Sequence, residues 1–390
     1  MSARAGAHGL GLSRSPGRAG VRDLLLRSDV LLVSAALALS VLGALLVHSA
    51  TRVDSGSAYL LRHLLNLGLG VTLAVLVGRL DRQTLRALAP LVLAASVVGL
   101  VLVLSPLGST INGSRSWIQL PGGFSLQPSE FAKVGLCVGL PMVLADPLER
   151  HRRPGARSIL AALAVAGVPI LLVLLQPDLG SALVLAALTL GVVALSGAPA
   201  RWLVGAGAVG AAVVTAALTT PLLSPYQRDR LLAFIDPSLD PEGIGYQTRQ
   251  VRLAIGAGGW QGEGLHAGTR TQGGYIPFQE TDFIFSVAGE ELGFLGAGLL
   301  IVLVAALVAR IVLIGNGADD PFGRLVAVGV ATWFAVQALE NIGMNLGMMP
   351  VTGLPLPFVS YGGSSMFACW LAVGLVNAIH VGDHRDSTRR

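Results

Sequence analysis

Ten apolar runs divide the chain, separated by polar or glycine- and proline-bearing connections. They are Val30–Ser49, Leu60–Val77, Leu88–Leu104, Phe131–Ala145, Ile159–Leu175, Leu179–Ser196, Trp202–Thr219, Leu292–Ile314, Leu325–Met344 and Ser365–Ile379. Each is long enough to cross a bilayer or nearly so. The pattern predicts an all-α polytopic integral membrane protein with about ten transmembrane helices. The fourth run is short and contains Pro141, which predicts a tilt or kink. One connection, 221–291, is far longer than the others. It alternates polar clusters with apolar patches, and a structureless loop of that length would be unusual. Short interfacial or re-entrant helices are expected there. The two halves of the chain differ in loop length, which argues against an inverted-repeat transporter.

Composition agrees with the pattern. The chain is 53% hydrophobic and 13% charged, where soluble domains carry about 25% charged residues. Residues 1–21 are rich in Arg, Gly and Ser without an apolar core, so they read as a disordered cytoplasmic tail and not a signal peptide. Residues 22–382 form one membrane domain that includes the 221–291 loop, and 383–390 form a second cytoplasmic tail.

Charge orients the runs. Of 27 basic residues, only Lys133 is a lysine. With the N-terminus in the cytoplasm, 18 of the 27 fall inside and nine fall outside or at that boundary. The positive-inside rule favours this arrangement, and an even number of spans returns the C-terminus to the cytoplasm. The loops 106–130, 176–178, 221–291 and 347–364 then lie outside, so any chemistry is expected to be extracytoplasmic. Cys137 and Cys369 both fall in apolar runs and predict no disulfide. No His-x-x-x-His or Cys-x-x-Cys spacing occurs, which argues against a dedicated zinc site. No nucleic-acid partner is expected.

The polar motifs admit more than one reading. Arg115 and Trp117 fit a membrane surface, with Trp as anchor and Arg as phosphate ligand. Glu130 and Lys133 are spaced to pair on one helix face; either they serve a site, or Lys133 snorkels while Glu130 caps a first turn. Asp178 is placed to cap the following helix and could also face a cavity. Tyr226–Arg230 and Tyr246–Arg252 could hold a pyrophosphate or rest on lipid headgroups. Glu340, Asn341 and Asn345 are expected to bond between helices. The segment from Pro350 to Ser365, with Ser360 and Ser364, is stiff and could line a cavity as a re-entrant element. Asp282, wedged before Phe283-Ile284-Phe285 where a membrane helix is about to begin, is the strongest candidate for chemistry. Glu280, Glu290 and Glu291 are weaker candidates that could tie loops to the bundle.

Taken in order, several segments resemble the SEDS family (shape, elongation, division and sporulation). They are Arg115-Ser116-Trp117 with Gln127–Lys133, Gln176–Gly180, Thr281–Phe285 with Gly289–Gly293, and Asn341–Ser365. The resemblance runs from about Val30 to Ile379. Within the family, Tyr246–Gln250 and Arg252–Gly259 look more like the RodA branch than the FtsW branch. One departure is clear: the family usually shows Leu-Pro-Glu-x-His/Gln before the Thr-Asp, whereas this chain has Ile276-Pro277-Phe278-Gln279-Glu280.

The resemblance implies a peptidoglycan glycosyltransferase of the bacterial cytoplasmic membrane, acting in cell elongation and shape. It would polymerise lipid II on the outer face by inverting transfer, with Asp282 as general base. Arg115, Trp117, Glu130, Lys133, Asp178, Ser360 and Ser364 would contact substrate. A divalent cation, Mg or Mn, could assist, although no metal ligands can be named. A class B penicillin-binding protein would supply the transpeptidase, since no Ser-x-x-Lys set is present. The rival readings are a lipid-linked precursor flippase and a catalytically silent scaffold.

Overall fold

The computed structural model describes residues 28–111, 114–121, 124–219, 230, 234, 236 and 243–387. The expected N-terminal tail and the Tyr226–Asp229 part of the first basic cluster lie outside them. The helices are α1 Val30–Ser55, α2 Ala58–Gly78, α3 Arg82–Leu104, α4 Pro128–Glu149, α5 Ala156–Leu174, α6 Leu179–Leu195 and α7 Ala200–Thr219, then α8 Ile244–Ala257, α9 Thr269–Gln272, α10 Ile284–Glu291, α11 Gly293–Gly317, α12 Pro321–Leu346 and α13 Gly363–Ser387. Among the described residues, eight helices are long and apolar enough to cross a membrane, and the shorter apolar helices Leu179–Leu195 and Ala200–Val213 complete ten.

Aspartates start four of the helices. Asp29, Asp81, Asp178 and Asp320 each accept a backbone N–H from the first turn of α1, α3, α6 and α12. Each cap satisfies a donor that would otherwise be orphaned. The fourth helix runs from Pro128 through Pro141 and Pro147 to Glu149, well beyond the expected Phe131–Ala145. Its polar first turn was hidden from a hydropathy reading because Glu130 and Lys133 are charged yet buried. The last helix continues to Ser387, past the expected boundary at 382. The intervening Asp383–Ser387 contains no proline or glycine to stop it.

Helices α4, α12 and α13 form the buried middle of the bundle, with α2 packed on α13 and α11 on α1 and α12. A close backbone approach joins α1 to the Pro/Gly segment after α12. A Cβ on Gly43 would lie 2.5 Å from the Val359 carbonyl oxygen, so only glycine allows the approach. That segment is non-helical but packed inside protein, with Leu354, Leu356, Phe358 and Val359 buried. This is the condition under which irregular backbone is tolerated at such depth.

Two features of one end of the bundle were not foreseen. The connection before α4 is a three-stranded antiparallel sheet, β1 Gly108–Ile111, β2 Ser114–Leu120 and β3 Phe124–Leu126, in the order β1-β2-β3. Ser109 pairs with Trp117 and Ile118 with Leu126. Helix α10 falls where interfacial or re-entrant helices were expected, and it is buried along its whole length.

Candidate active site

Asp282 sits on the turn between Ile276 and α10, and its backbone is held on every side. The carbonyl of Phe278 accepts the amides of Thr281 at 3.1 Å, Asp282 at 3.0 Å and Phe283 at 3.3 Å. The next three carbonyls are then clamped in sequence. Glu280 accepts the Tyr361 amide at 2.8 Å. Thr281 accepts the Ser360 hydroxyl at 2.6 Å. Asp282 accepts the side-chain amides of Asn341 at 2.9 Å and Asn345 at 3.2 Å. Asn345 also accepts the Ser286 amide at 3.2 Å, which ties the start of α10 to α12. Asn341 reaches Leu354 of the Pro/Gly segment at 2.7 Å. Buried backbone groups are therefore satisfied, and one carboxylate is left projecting from a fixed platform.

The Asp282 carboxyl is only partly buried. Gly353 faces it in a left-handed conformation, φ 77°. The position a Cβ would take on Gly353 is 3.2 Å from Asp282 Oδ2 and 3.3 Å from Arg230 Nη1. Carboxylate and guanidinium thus share one small space, which glycine keeps open. Burial pushes the Asp282 pKa up to about 6. The Arg230 charge and a hydrogen bond from Thr281 oppose that rise, and the charges of Glu280 and Asp178 add to it. Burial, together with the Asp54 charge, also raises Glu280 above its ordinary value. Arg230 also lines a small pocket with Thr248, Arg252 and Val351.

The other sequence-predicted residues divide. Asp178 caps α6 through the Ser181 amide at 2.9 Å, and its charge reaches Asp282. Gln127 approaches its second oxygen at 3.5 Å. Lys133 does not snorkel: it is fully buried, donating to Glu130 and to Gln337, each at 2.7 Å. A charge this deep persists only when paired and hydrogen-bonded. Gln337 in turn donates to Pro355 at 2.8 Å, so the Glu130–Lys133 pair supports the segment that holds Asp282. Arg115 donates to the carbonyls of Gly108 at 3.2 Å and Ser105 at 2.8 Å, which commits its guanidinium to β1 and the end of α3. Trp117 is half-buried in β2. Ser364 accepts the Gln127 amide at 2.9 Å and donates to Ser125 at 3.2 Å. Ser360, between Leu356 and Thr281, is likewise a backbone clamp. Glu290 binds Arg270 and Thr271 amides, and Glu291 accepts from Ser49, so both tie the loop to the bundle. Sequence reasoning missed Gln337, although a glutamine inside an apolar run was a visible signal.

Comparison with known proteins shows the family. The family model FtsW/RodA/SpoVE, described as cell cycle protein, matches residues 26–385. The chain belongs to this family. A probable peptidoglycan glycosyltransferase FtsW of Trichlorobacter lovleyi is 38% identical over 361 residues, 91% of this chain and 93% of that protein. The peptidoglycan glycosyltransferase MrdB of Escherichia coli K12 is 35% identical, over 88% of this chain and 91% of its own. A chain from a solved peptidoglycan synthase complex, in a study of coordinated polymerization and crosslinking, superposes with a TM-score of 0.77 at 36% identity. It covers 92% of this chain and 99% of its own. The RodA of Thermus thermophilus gives 0.67 at 33% identity, covering 90% and 96%.

Proposed function

We propose that this family member is a peptidoglycan glycosyltransferase that polymerises lipid II, with Asp282 as general base. The observation that carries the reading is the fixed Asp282 carboxyl with a pKa near 6, which shares one small space with the Arg230 guanidinium over Gly353. The names of its relatives support the same activity.

The chemistry follows from that carboxyl. An acceptor 4-hydroxyl is a poor nucleophile until a base takes its proton as the new C–O bond forms. A carboxylate with a pKa near 6 is ionised at neutral pH and is a stronger base than an ordinary Asp. As the hydroxyl oxygen bonds to the donor's anomeric carbon, the bond from that carbon to the pyrophosphate oxygen breaks, and undecaprenyl pyrophosphate departs with the electron pair. The configuration inverts from α to β. Arg230 and Arg252, which line one small pocket, are the cations that would steady the leaving charge. Only one carboxylate is needed, unlike in a glycosidase.

Among the described residues no group of three His, Cys, Asp or Glu side chains could hold a metal ion. The described residues therefore do not fit a Mg or Mn centre built from three protein ligands. In the proposed topology the Asp282 end faces outward from the bacterial cytoplasmic membrane, with both termini inside. A class B penicillin-binding protein would crosslink the strands. The Tyr246–Gly259 run favours an elongation role of the RodA kind over a division role.

The test uses purified full-length protein in liposomes with lipid II and its partner transpeptidase. Wild type should build glycan strands, and Asp282→Asn should build none. Polymerisation by the Asn variant at the wild-type rate would remove the assignment. Lipid II translocation without polymerisation by wild type would indicate a flippase instead.

A further inference from the structure

The turn that presents Asp282 also presents two aromatic rings. Tyr275 is 48% exposed and Phe278 42% exposed, whereas Ile276 and Gln279 between and beside them are buried. Single exposed aromatics are ordinary, but these two are fixed in place. Phe278 adopts φ 57°, the left-handed region that a bulky side chain rarely enters. Its carbonyl is the one that gathers the amides of Thr281, Asp282 and Phe283. Strain of this kind persists where the surroundings over-determine it, and it clusters at ligand sites. Tyr275 is held by a different means. Gly273 leaves the room its ring occupies, since a Cβ there would lie 2.4 Å from Tyr275 Cε2. Pro277, also exposed, stiffens the step between the rings. Among the described residues no ring contact is found for either aromatic.

We propose that Tyr275, Pro277 and Phe278 form a ledge on which a pyranose ring of the glycan stacks beside Asp282. The inference rests on the glycosyltransferase reading and names a saccharide contact within it. A pyranose has an apolar face of C–H groups, and the negative face of an aromatic ring attracts their positive edge. Lipid headgroups are the competing occupant. Trp260 fits that role better: it is 72% exposed and lies edge-on to Phe294, 5.0 Å away, at the start of apolar α11. The ledge leads instead into Glu280 and Thr281, whose polar groups suit sugar hydroxyls.

Polymerisation of lipid II in liposomes by Phe278→Leu, Phe278→Trp and Phe278→Gly tests the ledge. Leu and Gly should lower kcat/KM by roughly 2- to 12-fold, mainly through KM, which is the range an aromatic contact carries. Trp should stay near wild type. Gly relieves the left-handed strain and should melt no lower than wild type, which separates lost contact from lost folding. A Leu variant equal to wild type would overturn stacking, because a merely apolar anchor would then suffice. In Phe278→Trp, a soluble peptidoglycan tetrasaccharide should change the added tryptophan's fluorescence. Quenching by brominated phospholipid with no response to the saccharide would assign the ledge to the membrane and refute the proposal. Asp282→Asn in the same assay separates the two levels. If it polymerises, the functional reading fails; if it is inactive while the Phe278 series is unchanged, only the ledge fails.

Discussion

Replacing Asp282 by Asn should abolish polymerisation and yet stabilise the protein. The folded structure holds the Asp282 carboxyl near pKa 6, against 3.8 for the ordinary side chain. A group with a raised folded pKa favours its protonated form in the fold. Wild-type stability is therefore greatest below pH 3.8, falls as pH rises through the interval to 6, and stays at the lower level above it. The gap corresponds to about 3 kcal/mol for full ionisation. Partial exposure of the carboxyl reduces the expected gain, so roughly 1–3 kcal/mol is the range. Asn keeps the shape and carries no charge. Its advantage over wild type should be absent near pH 4, appear between pH 4 and 6, and be constant from pH 7 upward. For a chain of this size the gain amounts to a few degrees in Tm. The assay is thermal unfolding of both proteins in detergent across that pH series, beside lipid II polymerisation of wild type. The wild-type rate should fall on the acid side with an apparent pKa near 6. An Asn variant no more stable than wild type at pH 7.5 would refute the claim that Asp282 is held ionised at an energetic cost. So would an advantage that persisted at pH 4.

Four further outcomes follow from the same geometry. Arg230→Ala removes the nearest opposing charge, so the acid limb of the rate profile should move to higher pH and the maximal rate should drop. Lys133→Met leaves Glu130 buried and unpaired, which should cost about 3–5 kcal/mol, read as a lower Tm; adding Glu130→Gln should recover much of the loss. Asn341→Leu withdraws the donor from the carbonyls of Asp282 and Leu354, and should cost about 1–3 kcal/mol while lowering kcat more than it raises KM. Gly353→Ala forces a side chain into a left-handed position facing Asp282, and should lower both stability, by about 1–2 kcal/mol, and activity.

What the chain discloses depends on whether an interaction is local. The bundle was legible because burial in a bilayer demands long apolar runs. The capping role of Asp178 was legible because a cap acts within one turn. Lys133 shows the limit. Its spacing from Glu130 predicted a pair, but its depth depends on Gln337, 204 residues away, which no periodicity connects to it. Arg115 shows a second limit. A guanidinium reads as a phosphate ligand until the end of α3 and the first strand of a small sheet each offer it a carbonyl. Asp282 shows both sides. Its expense beside apolar residues was visible at once, whereas its tuning was not. Tuning arises first from burial, which raises the pKa, and from the Arg230 charge, which opposes it, while Asn341, Asn345 and Ser360 hold the backbone behind the carboxyl. A base positioned by backbone clamps from α12 and the Pro/Gly segment cannot shift without unfolding its platform. Substitutions in those clamps should therefore act on the rate even where they never meet the substrate.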